Sequence, residues 1–312
     1  MSLNIGTLIS AFPGYLAQGI IWGIMALGLY ISFRVLEFSD LTVDGSFAAG
    51  GAVTVMLILS GKPALLAVFA AVLVGILCGL CTGLLHTKFG IAPILSGILT
   101  QIALYSVNLH ILGNKANQAV SVDKYSLLLS LRHPGSAIAA AGIFAAALIA
   151  VMYWFFGTEL GSAIRATGSN PNMSKAQGIN IDRMKVLALA LSNGTVALAG
   201  GLMAQYQGFA DVQMGRGAIV IGLASIIIGE VFRRLIKITT PFDYAISLFF
   251  VIVGGIVYYV IMGVALWLRL PTNDLKLFTA LIVAFALAIP QLHERRRLSR
   301  RKAGSGKGGA GQ

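Results

Sequence analysis

Charge is what this sequence lacks most. Of 312 residues only 11% are charged, less than half the roughly 25% of soluble globular proteins. Acids are the scarcer sign, 11 against 23 Lys and Arg. That shortage excludes an ordinary soluble domain and a disordered tail, which is rich in charge and poor in apolar residues. Cysteine is limited to Cys78 and Cys81, which excludes a disulfide scaffold. Lying in one apolar stretch, both are expected to be reduced and buried. The four histidines, His86, His110, His133 and His293, have no metal-ligand spacing. No Gly-x4-Gly-Lys-Ser/Thr phosphate loop occurs, so the chain is not expected to bind or hydrolyse ATP itself. No Ser, His and acid constellation suggests hydrolysis. The first ten residues lack a basic segment, so the first apolar stretch reads as an uncleaved insertion signal.

Apolar sequence is what the chain has in excess, 57% of residues with a mean hydropathy of +0.85. A membrane-spanning helix needs about 20 residues of low charge. Nine stretches qualify: 12–33, 41–60, 63–86, 91–112, 135–156, 184–206, 217–232, 242–263 and 276–290. The seventh and ninth are short, and the seventh reads as tilted or re-entrant. No period-two alternation supports a β-barrel. The expected fold is therefore an all-α, polytopic integral membrane protein. It forms one domain over 1–303, followed by a flexible glycine-rich tail, 304–312.

A net charge of +12 would suggest nucleic acid in a soluble protein. Here the basic residues cluster between spans, and no nucleic acid is expected as a partner. Cytoplasmic loops hold the excess of Lys and Arg. With the C-terminus inside, 16 of the 23 basic residues are cytoplasmic and 7 are outside. The N-terminus is then outside, the 113–134 break external and the 157–183 break cytoplasmic.

The chain also echoes itself. Phe38-Ser39-Asp40-Leu41-Thr42-Val43 is answered 171 residues later by Phe209-Ala210-Asp211-Val212-Gln213-Met214. By this threading the two copies lie on opposite sides, as in inverted-topology repeats of transporters. The repeats would cover about 12–112 and 184–290.

Several polar residues sit where lipid would penalise them. Asp40 and Asp44 flank the start of the second span, and an acid at the bilayer centre costs about 2.5–3.5 kcal/mol on insertion scales. One reading is a broken helix lining a path; the other is a cap on a helix N-terminus, and the two are compatible. In the fourth span Gly97, Gln101, Tyr105 and Asn108 share one helix face, for substrate contact or for hydrogen bonds between helices. The sixth span has its own polar patch around Asn193. Glu230, near Arg233 and Arg234, reads as an interfacial ion pair, with a proton carrier as the alternative. Gly75, Gly79 and Gly83, with Gly19 and Gly23, read as close packing of helices within the chain.

The 157–183 loop is longer than a linker requires. Asn170-Pro171 starts a helix well, 173–177 continues it, and Gly178 supplies a left-handed stop. A compact helix between two spans suits docking of a soluble partner.

Here a resemblance emerges. Ala166-x-Gly168-x-Asn170-x5-Ala176-x-Gly178-Ile179, followed by Leu198-Ala199-Gly200-Gly201, resembles the coupling region of ABC importer permeases of the ribose and branched-chain amino acid class. The Asp40-Leu41-Thr42-Val43-Asp44-Gly45-Ser46 run resembles that family's Asp-Leu-Ser-Val-Gly-Ser stretch. The added acid at Asp44 resembles a branch serving aromatic amino acids. The resemblance spans about 15–290; many relatives have ten spans, and this chain is expected to lack the first of them. It implies a homodimer in the bacterial inner membrane, two cytoplasmic ATPase subunits that hold ATP and Mg, and an extracytoplasmic binding protein. This chain would carry no cofactor. The pathway residues would be Asp40, Asp44, Gln101, Tyr105, Asn108 and Asn193. The coupling residues would be Arg165, Gly168, Asn170, Pro171, Met173, Lys175 and Gly178. An ion-coupled secondary transporter is the alternative, and a membrane-embedded enzyme a distant third.

Overall fold

A computed structural model describes residues 5–235 and 242–268, with residues 277, 278, 280, 281 and 284. Most of the ninth expected span, the basic 295–302 cluster and the tail lie outside the described residues. In chain order the elements are α1 (Ile5–Tyr30), continued by a π-helical segment (Ile31–Val35), α2 (Val43–Leu59), α3 (Ala64–Thr87) and α4 (Pro93–Ile111). Then come β1 (Asn117–Ala119), α5 (Pro134–Gly157), α6 (Glu159–Ser169), α7 (Pro171–Ala176) and α8 (Ile181–Gln207). β2 (Phe209–Asp211), α9 (Ala218–Leu235) and α10 (Asp243–Trp267) complete the order.

Local signals set most boundaries. Pro93, Pro134 and Pro171 open α4, α5 and α7, where a missing N–H costs nothing. Gly208, at φ 78°, ends α8 in the left-handed conformation. Among the described residues six helices are long and apolar enough to cross a membrane: α1 with its π segment, α3, α4, α5, α8 and α10. The protein is a multi-pass membrane protein. α2 has 17 residues, and α9 carries Glu230, Arg233 and Arg234. A two-stranded antiparallel sheet interrupts the helical pattern, pairing Asn117 with Asp211 and Ala119 with Phe209. It ties the long segment after α4 to the end of α8.

α8 is the buried axis. It packs on α1, α2 and α3, while α10 packs on α1 and α9. The contacts follow the 171-residue offset: it carries α1 onto α8, α2 onto α9 and α3 onto α10. Thus α3 against α8 has its counterpart in α10 against α1, and α2 against α8 in α9 against α1. Glycine makes these approaches possible. A Cβ on Gly75 or Gly79 would strike the main chain of Asn193 or Leu189, and one on Gly83 would lie 2.9 Å from Val186 Cα. On the other side, Cβ atoms at Gly19 and Gly23 would lie 2.6 and 2.9 Å from Ile256 and Ile252 Cα. The glycine stripes therefore serve packing within the chain. At the periphery α3 and α5 present Phe69, Leu73, Ile143, Val151 and Trp154 outward. Both cysteines are free. Cys78 is buried as expected, but Cys81 is exposed on the outer face of α3.

Gly79→Val should abolish most folded, monodisperse protein, because the added carbons meet backbone that cannot rotate away. Gly142→Val in α5, where a Cβ would meet nothing within 4 Å, should be neutral or stabilise by about a few tenths of a kcal/mol, because valine is the better helix former of the two. Thermal melting in detergent compares the two.

Candidate functional site

Between α1 and α2 the helix is lost. After the π segment the chain runs without regular structure to Thr42, with Glu37 at φ 55°. Irregular backbone inside a membrane protein must find its hydrogen bonds in protein. Asp40, fully buried, organises this. Its Oδ1 accepts from the Thr42 amide at 2.9 Å, and its Oδ2 accepts from Asn193 Nδ2 at 2.7 Å. Asn193 Nδ2 also donates to the Leu189 carbonyl at 3.0 Å, while its Oδ1 accepts from Ser46 Oγ at 2.5 Å. The hydroxyls of Thr42, Thr82 and Thr100 continue the chain at 2.6 and 3.0 Å. One buried network thus joins the break to α2, α3, α4 and α8. Asp211, 171 residues after Asp40, turns the same way: its Oδ1 accepts from the Gln213 amide at 2.7 Å.

Asp44 lies in the first turn of α2 but caps a different helix. Its carboxylate accepts from the Gly217 amide at 3.0 Å and the Ile219 amide at 3.2 Å. It therefore closes the N-terminus of α9, not of its own helix. Gly215, the residue 171 positions after Asp44, packs on the Asp44 main chain so closely that a Cβ would strike its carbonyl.

Beside this contact opens a cavity of about 400 Å³, within the roughly 300–1,000 Å³ range of small-molecule sites. Asp44, Gln101, Tyr105, Asn108, Gln213 and Arg216 are among its lining residues. Asn108 is buried and donates from Nδ2 to the Gly45 carbonyl at 3.2 Å, while its Oδ1 has no partner. Tyr105 is half exposed. Arg216 donates to Gln213 Oε1 at 3.2 Å. So the fourth-span stripe and Asp44 meet at one cavity. Asp40 and Asn193, expected on the same path, do not line it; their polar atoms are consumed in the junction behind it. Gly97 packs on the backbone of Leu41, 2.7 Å from its nitrogen to an ideal Cβ. Sequence reasoning missed Gln213 and Arg216. Gln213 lay inside the echo, and extending the echo two residues reaches Arg216, the counterpart of cavity-lining Gly45.

The 157–183 segment is built as two helices. Thr158 caps α6, accepting from the Gly161 amide at 3.3 Å. Gly168 lies where a Cβ would be 3.0 Å from Leu36 Cα and would strike the Val35 carbonyl, so α6 rests on the π segment. Asn170 Oδ1 accepts from the Met173 amide at 3.0 Å and caps α7. Pro171 is at its first position, and Gly178 follows it at φ 83°. Ser174 is buried; Pro171, Met173, Lys175 and Gly178 are exposed. Arg165 stands apart from α7, on α6, bonded to Ser162 Oγ at 3.2 Å. Glu230 pairs with Arg34 Nε at 2.8 Å, not with its neighbours; Arg233 pairs with Asp243. On a helix Glu230, Arg233 and Arg234 are near in sequence, but the π segment after α1 brings the Arg34 guanidinium that geometry favours.

Residues 12–289 match the family described as branched-chain amino acid transport system permease component. A tyrosine transport system permease protein of Clostridioides difficile (strain R20291) is 38% identical over 91% of this chain and 92% of its own length. An uncharacterised protein of Rickettsia prowazekii (strain Madrid E) is 31% identical over 88% and 95%. An autoinducer 2 import system permease protein of Yersinia pseudotuberculosis is 30% identical over 52% of this chain and 45% of its own. Among solved structures, PsaBC from Streptococcus pneumoniae in complex with Fab superposes with a TM-score of 0.52 over 91% of this chain and 95% of that one. At 13% identity it shares the fold.

Asn193→Leu should lower stability by about 2–3 kcal/mol, since it strands a buried carboxylate oxygen and a buried hydroxyl. Asp44→Asn, which can still accept one of the two α9 amide bonds, should cost about 1 kcal/mol. Melting temperatures of the purified variants test the order; equal losses would put the weight of the break on Asp44 instead.

Proposed function

The chain belongs to the family of branched-chain amino acid transport system permease components, and from that premise we propose that it is the membrane subunit of a binding-protein-dependent ABC importer for an amino acid. The family is the membrane component of a transport system and not itself an enzyme. The observation that carries the substrate reading is the cavity. It presents one carboxylate at Asp44, one guanidinium at Arg216 and an unpartnered amide oxygen at Asn108. A free amino acid brings the opposite set, an ammonium and a carboxylate, and Tyr105 offers a ring to an apolar side chain. The tyrosine in the name of the Clostridioides relative supports the aromatic branch.

On this reading two copies of the chain enclose the path, with residues 12–112 and 184–290 as inverted repeats. The paired Asx turns at Asp40 and Asp211 and the matched helix contacts support that division. The N-terminus is outside and the C-terminus cytoplasmic, in the inner membrane. Two ATPase subunits, holding ATP and Mg, engage α7 from the cytoplasm, and a binding protein delivers solute on the other side. α7 suits such docking because it is short, capped at Asn170 and exposed. Exposed ion pairs are worth only about 0–1 kcal/mol, so its shape should matter more than Lys175.

With the partner subunits co-expressed, Gln101→Leu should reduce uptake of labelled tyrosine about tenfold while the complex still purifies. Unchanged uptake with leucine at 101, 105 and 108 in turn would show that the stripe only packs. Gly178→Val should uncouple uptake from ATP hydrolysis or release the ATPase, because a β-branched residue fits positive φ poorly. Lys175→Ala should leave copurification and substrate-stimulated hydrolysis within about twofold.

A further inference from the structure

A second cavity, of about 460 Å³, lies where α5 ends, α6 begins and α10 begins. Tyr153, Trp154, Phe156, Arg165 and Tyr244 are among its lining residues. Three features of it are unexplained by packing. The first is charge. Two arginines at this end of the bundle, Arg34 and Arg233, have carboxylate partners in Glu230 and Asp243. Arg165 has only the neutral Ser162 hydroxyl, and among the described residues no carboxylate pairs with it. The 236–241 segment leading to α10 contains no acid either. The second is an orphan. The Tyr244 hydroxyl is buried without a hydrogen-bond partner, a cost normally removed by an acceptor or donor placed against it. The third is position. α5 and α10 are both spanning helices, and the cavity sits at their ends. Trp154 is 70% exposed and Phe242, which packs on Tyr153, is 58% exposed. Exposed aromatics at such a level mark the boundary between hydrocarbon and headgroups.

An unpaired guanidinium and an orphan phenol donor call for an anion with several acceptor oxygens. Aromatic walls facing the lipid call for an apolar body attached to it. We propose that this cavity binds the phosphate of an anionic phospholipid, such as a phosphatidylglycerol. The Arg165 guanidinium and Tyr244 hydroxyl donate to its oxygens, and Trp154 lies along the start of its acyl chains. A choline headgroup would bring a second positive charge towards Arg165 and is disfavoured. Because α6 carries Arg165 and leads through Asn170 directly into α7, the bound headgroup steadies the base of that exposed helix.

The test uses the purified full chain in detergent and the fluorescence of Trp154, defined as the component lost in Trp154→Phe. Brominated phosphatidylglycerol and phosphatidylcholine with identical chains are titrated separately. Phosphatidylglycerol should quench Trp154 at about fivefold lower lipid than phosphatidylcholine. Arg165→Ala should remove that preference, Arg165→Lys should keep part of it, and Tyr244→Phe, which keeps the ring, should weaken it. Lys175→Ala should change nothing. Millimolar inorganic phosphate should fail to displace the lipid. Equal quenching by the two lipids, or a preference that survives Arg165→Ala in folded protein, would overturn the proposal. Displacement by free phosphate would reassign the cavity to a soluble anion. Loss of lipid quenching when an ATPase partner is added would reassign Arg165 to that protein interface.

Discussion

Everything near the cavity depends on Asp40 being held by Asn193. A helix that breaks inside a membrane protein exposes amides and carbonyls that lipid cannot satisfy. The Asp40 carboxylate takes one of those amides and is itself held by a side chain 153 residues away in sequence. The same asparagine takes the Ser46 hydroxyl, so the start of α2 is fixed to α8 from both sides of the turn. Breaking one member leaves the others buried and unpaired, which costs more than the bonds contribute when whole. The junction therefore behaves as one unit, and it sets where Asp44 points.

Asp44 then illustrates how the sequence echo departs from itself for a physical reason. Its counterpart at the same offset is Gly215, and the two positions are in van der Waals contact. A second carboxylate there would put like charges together in a poorly solvated place. Any side chain at all would strike the Asp44 carbonyl. A glycine in one half thus permits an acid in the other, and the single acid can cap α9. The same logic runs through the helix pairs, where glycine on one face accepts the main chain of the next helix. With no hydrophobic drive between helices in lipid, such close packing is a principal source of cohesion.

Much of this was legible in the sequence because it is local. Length and hydropathy placed α2, α3, α4, α5, α8 and α10 within a few residues, and Asn170-Pro171 with Gly178 outlined α7. The Gln101, Tyr105, Asn108 face followed from helical periodicity. Partnerships across the chain were not legible. Asp40 and Asn193 looked like path residues because both are polar in apolar surroundings, yet each is spent on the other. Glu230 looked satisfied by Arg233, until the π segment after α1 arrived with Arg34. Asp44 looked like the cap of its own helix, since nothing local reveals a second N-terminus folding onto it. β1 was invisible for the same reason: Asn117, Gln118 and Ala119 become a strand only because residues 209–211 lie beside them.

These contacts also connect the two ends of the site. α7 is continuous with α6 through its cap at Asn170. α6 rests on the π segment where Gly168 meets Val35 and Leu36. The π segment leads into the break, the break is pinned by Asp40 to Asn193, and four residues on Asp44 forms part of the cavity wall. Each step is close packing or a hydrogen bond. Gly168 leaves no slack, since its neighbour is already at backbone contact. A force that shifts α6 must therefore move the π segment with it. The break then either carries Asp40 along with α8 or strains bonds that are costly to lose. The exposed helix and the cavity are in this sense opposite ends of a single packed path, which is the mechanical continuity that the proposed drive by a soluble partner would need.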